Sequence, residues 1–156
     1  MLAKNISIGF IIPLNNQKWG VIDKKGFSTA HLAAKFAEID SLKFLHMCNP
    51  KMIATPNIYG VTPAHIAAAN GQVDVLKLFN TIDRSLLKSV SKVGWNLGHF
   101  AAQNGHVHVI KFLNKELIDI DKEDINAQTP MLLAHLNNHY DCVSELMFKP
   151  ISCNIL

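Results

Sequence analysis

Apolar residues recur along this chain in two alternating forms. The first is a short alanine-rich segment: STAHLAA at 28–34, TPAHIAA at 62–68, NLGHFAA at 96–102 and the truncated TPMLLA at 129–134. The second is a stripe at helical spacing, in which Ile39, Leu42 and Leu45 are matched by Val73, Leu76 and Phe79, by Val107, Ile110 and Leu113, and by Tyr140, Val143 and Leu146. Residues three apart share one helix face, so each stripe predicts a helix with one side to bury. Gly26, Gly60 and Gly94 fall 34 residues apart, as do His31, His65 and His99, and the fourth copy follows at an offset of 33. The chain is therefore a unit of two helices written four times. The intervening polar segments, 46–61, 80–95 and 114–128, read as projecting turns.

The ends of the first helix are marked in register. Ser28, Thr62, Asn96 and Thr129 stand where a side-chain oxygen caps orphan N–H groups, and Pro63 and Pro130 follow at the first helical position. Gly71 and Gly105 suit the left-handed residue that closes a helix. Copies one and four carry Ala37 and Asn138 there; asparagine tolerates that geometry and alanine does not, so the first copy is expected to turn differently. No unit of this size buries its stripe alone. The copies must stack into one continuous core, which makes the fold class an all-α repeat solenoid.

Composition narrows the function. The 156 residues are 49% apolar and 17% charged with a formal net charge of +3, enough to fill a core and too little for a nucleic-acid arm. Fourteen of the basic residues are Lys and only one, Arg84, is Arg, which disfavours bidentate reading of phosphates or guanines. Cys48, Cys142 and Cys153 lie far apart without CxxC spacing, so neither a disulfide framework nor a zinc knuckle is indicated and a reducing compartment fits. Cys142 suits a packing position in a second helix. The apolar run from Ile6 to Leu14 is short and holds Pro13; it reads as a cap, and no segment approaches the ~20 apolar residues of a membrane span. The wealth of Lys, Ile and Asn suggests AT-rich coding, as in intracellular bacteria and large viruses.

Catalytic and metal constellations are missing. His31, His65 and His99 occupy equivalent places in stacked units, ~8–10 Å apart, and cannot converge on an ion that needs ligands at ~2.0–2.1 Å. His135 and His139 have i,i+4 spacing but lack the Glu of HExxH, and His106 and His108 point to different faces and are expected at the surface. Lys43, Lys77 and Lys111 recur beside the buried stripes and are placed on a solvated outer face. No GxxxxGK[ST], nucleophile elbow, acid pair or Cys–His arrangement occurs, so no cofactor, metal or catalytic residue is assigned.

These residues resemble the ankyrin repeat. The second copy carries Gly60, Thr62, Pro63, His65, Ala67, Ala68, Asn70, Gly71, Val73, Val75 and Leu76 of that pattern, and the third keeps Gly94, His99, Ala101, Ala102, Asn104, Gly105 and His106. The fourth has Ala127 and Leu132 in place of its Gly and His. The organisation expected is a cap at 1–18, repeats at 19–52, 53–86 and 87–120, a degenerate capping repeat at 121–150, and a tail at 151–156. The resemblance implies antiparallel helix pairs joined by β-hairpin-like fingers, a structural hydrogen-bonding role for the repeated histidines, and recognition of a protein partner.

Carried over by position, the partner surface comprises Lys24, Lys25, Phe27, Lys35 and Phe36, then Ile58, Tyr59, Val61, Ala69 and Asn70, then Lys92, Val93, Trp95, Gln103 and Asn104, and Ile125, Asn126, Gln128 and Asn137 in the last copy. Phe27, Val61 and Trp95, each one position after a glycine, are expected to join Ile58 and Tyr59 in an exposed apolar strip, with Tyr59 and Trp95 as anchors; the alternative is that some of them fold down onto their own hairpin. Lys24, Lys25, Lys35 and Lys92 lean positive toward the first three copies, whereas Asp119, Asp121, Glu123 and Asp124 gather before the fourth. Charge clusters in turns read first as solvated, and the alternative is that they steer the acidic end of a partner. The reading is a monomeric, cytoplasmic, non-enzymatic interaction module, in one version a host-directed effector. Alternatives are the substrate-recruiting fragment of a larger enzyme and an obligate oligomer.

Overall fold

A computed structural model of the chain describes residues 23–148, where eight α-helices follow one another in pairs. The expected cap at 1–18, the tail at 151–156 and Cys153 lie outside the described residues. The first helices are α1 (Thr29–Lys35), α3 (Pro63–Ala69), α5 (Leu97–Gln103) and α7 (Pro130–Leu136); the second helices are α2 (Ile39–Cys48), α4 (Val73–Ile82), α6 (Val107–Lys115) and α8 (Tyr140–Met147). Each first helix packs on the next first helix, and the second helices stack behind them. Alanine makes this closeness possible: Ala33, Ala34, Ala67, Ala68, Ala101, Ala102 and Ala134 are buried between layers.

Every first helix starts at its expected cap. Ser28, Asn96 and Thr129 accept from the N–H three residues on, and Thr62 meets His65 Nδ1 through both its hydroxyl and its N–H. Every first helix also closes alike, with the N–H groups of Glu38, Gln72, His106 and His139 reaching the carbonyls of Ala33, Ala67, Ala101 and Ala134, each at 2.9 Å. Ala37 stands at φ 56° beside Gly71 at 72°, Gly105 at 75° and Asn138 at 60°. The expectation of a different first turn is therefore corrected.

The reason lies in the next repeat. A Cβ on Gly71 would meet His106 Nδ1 at 2.8 Å, and one on Gly105 would meet His139 Nδ1 at 2.6 Å. The residue equivalent to those histidines after Ala37 is Gln72, whose flexible side chain donates instead to the Lys35 carbonyl. Alanine is tolerated where glutamine follows, at the usual left-handed cost of ~1–2 kcal/mol.

The stripes form most of the core. Leu42, Leu76, Phe79, Ile110, Leu113 and Leu146 are buried, joined by Val75, Val109 and Cys142 from the neighbouring turn. Burial raises the Cys142 thiol to about 11, which leaves it a packing group. Tyr140 departs from the expected stripe: it is 59% exposed, its hydroxyl donates to Asn138 Oδ1, and its ring meets His135 edge-on. Among the described residues no fifth helix pair covers that position.

The connecting segments are only half turns. Pro50–Ile53 and Arg84–Lys88 coil into 3-10 helices that bury Met52, Ile53 and Leu87, and Ile118 and Ile120 are buried in the third segment. These residues correct the reading of the whole of 46–61, 80–95 and 114–128 as projecting. What projects is a tight turn at 57–60, at 91–94 and at 124–127, closed by the N–H of Gly60, Gly94 and Ala127 on the carbonyls of Asn57, Ser91 and Asp124. No strand runs through them among the described residues, so the fingers are single turns in place of extended hairpins.

Candidate functional site

The fingers owe their shape to one short polar side chain each. Asp23 Oδ1 accepts the N–H of Lys25 and Phe27, Asn57 Oδ1 those of Tyr59 and Val61, Asp124 Oδ1 those of Asn126 and Gln128, and Ser91 Oγ that of Trp95. Sequence reasoning missed this function, although the polar residue three places before each finger glycine was visible. Adjacent fingers are then tied by backbone bonds, Ile58 N–H to Lys25 O, Lys92 N–H to Tyr59 O, and Ile125 N–H to Val93 O, at 3.0, 3.0 and 3.1 Å. A Cβ on Gly60 would strike Lys92 N at 2.7 Å, so glycine is required where the next finger presses close. Ala127 adopts φ 57° with no further finger behind it among the described residues.

Beneath the fingers runs a ladder of buried histidines. Ser28 N–H donates to His31 Nδ1 at 3.1 Å, which leaves the proton on Nε2 to donate to Val61 O at 2.8 Å in the next finger. His99 repeats the arrangement with Asn96 N–H and Gln128 O. His65 Nδ1 is held by Thr62, while its Nε2 makes no hydrogen bond of normal geometry and faces the backbone of Trp95 and Ser89. Burial lowers the pKa of all three against the raising effect of those carbonyls, to about 4 for His65. The rings are neutral spacers between fingers and helices.

A second ladder was not foreseen. His106 Nε2 bonds to Ala69 O at 2.9 Å and His139 Nε2 to Gln103 O at 3.1 Å, each tying a repeat to the first helix before it. His106 is thus part-buried, a correction of its expected surface role, while His108 is exposed. Lys43, Lys77 and Lys111 are exposed on the second helices, with Lys77 paired to Asp74 at 2.9 Å. No group of three or more His, Cys, Asp or Glu residues among the described residues is placed to hold a metal ion.

The candidate partner residues divide into two sets. Lys24, Lys25, Lys35, Phe36, Ile58, Tyr59, Asn70, Lys92, Val93, Gln103 and Asn104 are exposed, with Phe36 at 57% and Ile58 and Tyr59 at 50% each. Phe27, Val61 and Trp95 are half-buried, which corrects their expected place in an exposed strip. The Trp95 ring stacks on His99 with 5.9 Å between centroids, meets Phe100 edge-on, and gives its Nε1 proton to Asp124 Oδ2 at 2.8 Å. Phe27 packs edge-on against His31. The strip that does reach solvent is Ile58, Tyr59, Val93 and Ile125, the last at 70%.

Asp124 is likewise withdrawn from the acidic cluster. It is buried, and although desolvation pushes its pKa up, the bonds from Gln128, Trp95 and Asn126 and the nearby His99 bring it below the usual carboxylate range. Asn70, Asn104 and Asn137 spend their amide protons on the carbonyls four residues back, closing the first helices at 2.8 Å.

Between fingers and first helices lies a cleft of about 480 Å³, lined by Asp23, Phe27, Ser28, His31, Leu32, Lys35, Ile66, Ala69, Asn70 and Asn104. It crosses three repeats. Leu32 and Ile66, each next to a ladder histidine, line it and were not among the expected partner residues; their common register was the signal. Among the described residues the ion pairs are Lys77–Asp74, Arg84–Glu116 and Lys122–Asp119, so Lys24, Lys25, Lys35 and Lys92 enter none.

Comparison with known proteins agrees with this geometry. A family model described as ankyrin repeats in many copies matches residues 21–79, and one described as ankyrin repeats in three copies matches residues 79–156. No curated protein matches the chain.

Proposed function

The chain belongs to the ankyrin-repeat family, and from that premise we propose that it acts by holding a protein partner on its finger tips and in the cleft beneath them, without turnover of its own. Ankyrin repeats are in general protein-interaction modules. The observation that carries the reading for this chain is the row Ile58, Tyr59, Val93 and Ile125, four large apolar side chains left in water on neighbouring fingers that backbone bonds hold in fixed order. Exposed apolar groups on a rigid frame are what a partner covers at little entropic cost. Trp95, first expected as an anchor, becomes a support: stacked on His99 and bonded to Asp124, it fixes the third finger to the fourth. No described helix is long and apolar enough to cross a membrane.

Capture of partners from lysate by the immobilised full chain tests this reading. Ile58→Ala/Tyr59→Ala should lose the captured proteins, whereas Lys43→Ala/Lys111→Ala on the second helices should keep them. The opposite pattern moves the interface to the outer helices and defeats the assignment.

A further inference from the structure

Resting on that interaction reading, we propose that the occupant of the cleft is an acidic linear segment of the partner protein, one that lays a large apolar side chain against Leu32 and Ile66 and meets the lysines with flanking carboxylates. The shape of the site comes first. At about 480 Å³ and open to solvent, the cleft has room for one or two large side chains, and its lining runs from α1 across α3 to the end of α5, as an extended chain would. Its apolar lining comes from Phe27, Leu32, Ile66 and Ala69, and Asn70 and Asn104, with Nδ2 bonded to Ile66 O and Phe100 O, line it as well.

Charge chooses the sequence that fits. Lys24, Lys25, Lys35 and Lys92 stand on the fingers and first helices without an ion pair; Lys43 and Lys111 on the second helices are unpaired too, so what marks the four is their place on the elements around the cleft, with Lys35 in its lining. The carboxylate in the cleft wall is Asp23, and its Oδ1 is engaged by the N–H groups of Lys25 and Phe27. Lys35 lies with its Nζ 5.5 Å from the centre of the Phe36 ring, so one cation and one exposed aromatic form a joint contact. In the segment leading to the fourth finger Asp119 is paired with Lys122, and the exposed Glu123 would repel the same ligand there. An acidic segment is therefore attracted to the first three repeats and turned away from the last.

Protein is favoured over nucleic acid by the same residues. The chain's single arginine, Arg84, is bonded to the Glu116 carbonyl and paired with its carboxylate, and lysine offers a point charge without the planar fork that grips phosphate.

Selection from a phage-displayed library of random short peptides on the immobilised full chain tests the proposal. Enriched peptides should combine Asp or Glu with Leu, Ile or an aromatic residue. A synthetic copy of the strongest should bind about tenfold more weakly to Lys24→Gln/Lys25→Gln/Lys35→Gln, and its Glu→Gln counterpart should lose a similar factor on the wild type. These substitutions sit on exposed side chains, and an unchanged melting curve verifies that the variant is folded. Enrichment without an acidic excess, equal affinity for the variant, or no enrichment at all overturns this inference, while the lysate capture above judges the interaction reading separately. Tighter binding to random single-stranded DNA or to phosphatidylserine vesicles than to the selected peptide overturns it too. A dimer of the free chain that the lysine variant dissociates would give the cleft to a second copy instead.

Discussion

Repeats two and four open identically, with Thr62-Pro63 and Thr129-Pro130 starting α3 and α7, and then diverge. In the second, His65 is wholly buried and Gly60 and Gly71 are pressed by Lys92 and His106 of the third. In the fourth, the equivalents are Leu132, 40% exposed, with Ala127 and Asn138 carrying left-handed turns. The difference teaches that much of the repeat pattern is a record of what the following repeat demands. Among the described residues no later repeat presses on the fourth, and there the pattern relaxes.

Core truncation should separate the two regions most. Phe79→Ala in α4 is expected to cost ~3–5 kcal/mol in urea unfolding at neutral pH, because the site is sealed by neighbours on both sides. Leu146→Ala in α8 should cost less, near the ~2 kcal/mol floor for such changes. Equal losses would mean that the fourth repeat is as tightly enclosed as the second.

Acid should act through the histidine ladder next. Above pH 6.5 the His65 ring is neutral folded and unfolded; as pH falls from 6.5 toward about 4, the unfolded chain takes up a proton that the buried ring refuses. Stability present above pH 6.5 is thus lost over that window, by ~3 kcal/mol at this residue. His31 and His99 shift in the same direction, whereas Leu132 in the fourth repeat contributes nothing. Urea midpoints that stay level between pH 7 and pH 4.5 would contradict the neutral ladder.

A smaller effect tests the coupling between repeats. Gly71→Ala should destabilise by ~1–2 kcal/mol from its left-handed backbone alone, plus the clash with His106. Gly71→Ala/His106→Gln reproduces the natural pair Ala37 and Gln72 and should recover the clash portion. A double mutant that is worse than additive removes the explanation for Ala37. At the bottom of the scale, Tyr140→Ala should change stability by no more than ~0.5 kcal/mol, as the side chain is largely in water.

The fold was readable in the sequence because its signals are local and repeated. Cap residues, helix-closing glycines and stripes each depend on a few neighbouring positions, and four copies in register leave little room for accident. What was hidden depends on the adjacent repeat. The left-handed Ala37 follows from Gln72, thirty-five places on, and the withdrawal of Trp95 follows from Asp124, twenty-nine places on. Ile53, Leu87 and Ile120 lie in segments that read as projecting turns because one or two apolar residues between polar ones carry no helical period. For the candidate site, the exposed tips Ile58, Tyr59 and Val93 could be named from register alone. The cleft wall of Leu32 and Ile66 needed the stacking of α1 on α3.

Native-state hydrogen exchange on the free chain most directly tests whether neighbours supply the stability of each repeat. Amides of α4 and α6 should exchange only through the largest openings, and those of α8 through markedly smaller ones. Protection in α8 equal to that in α4 would contradict the account.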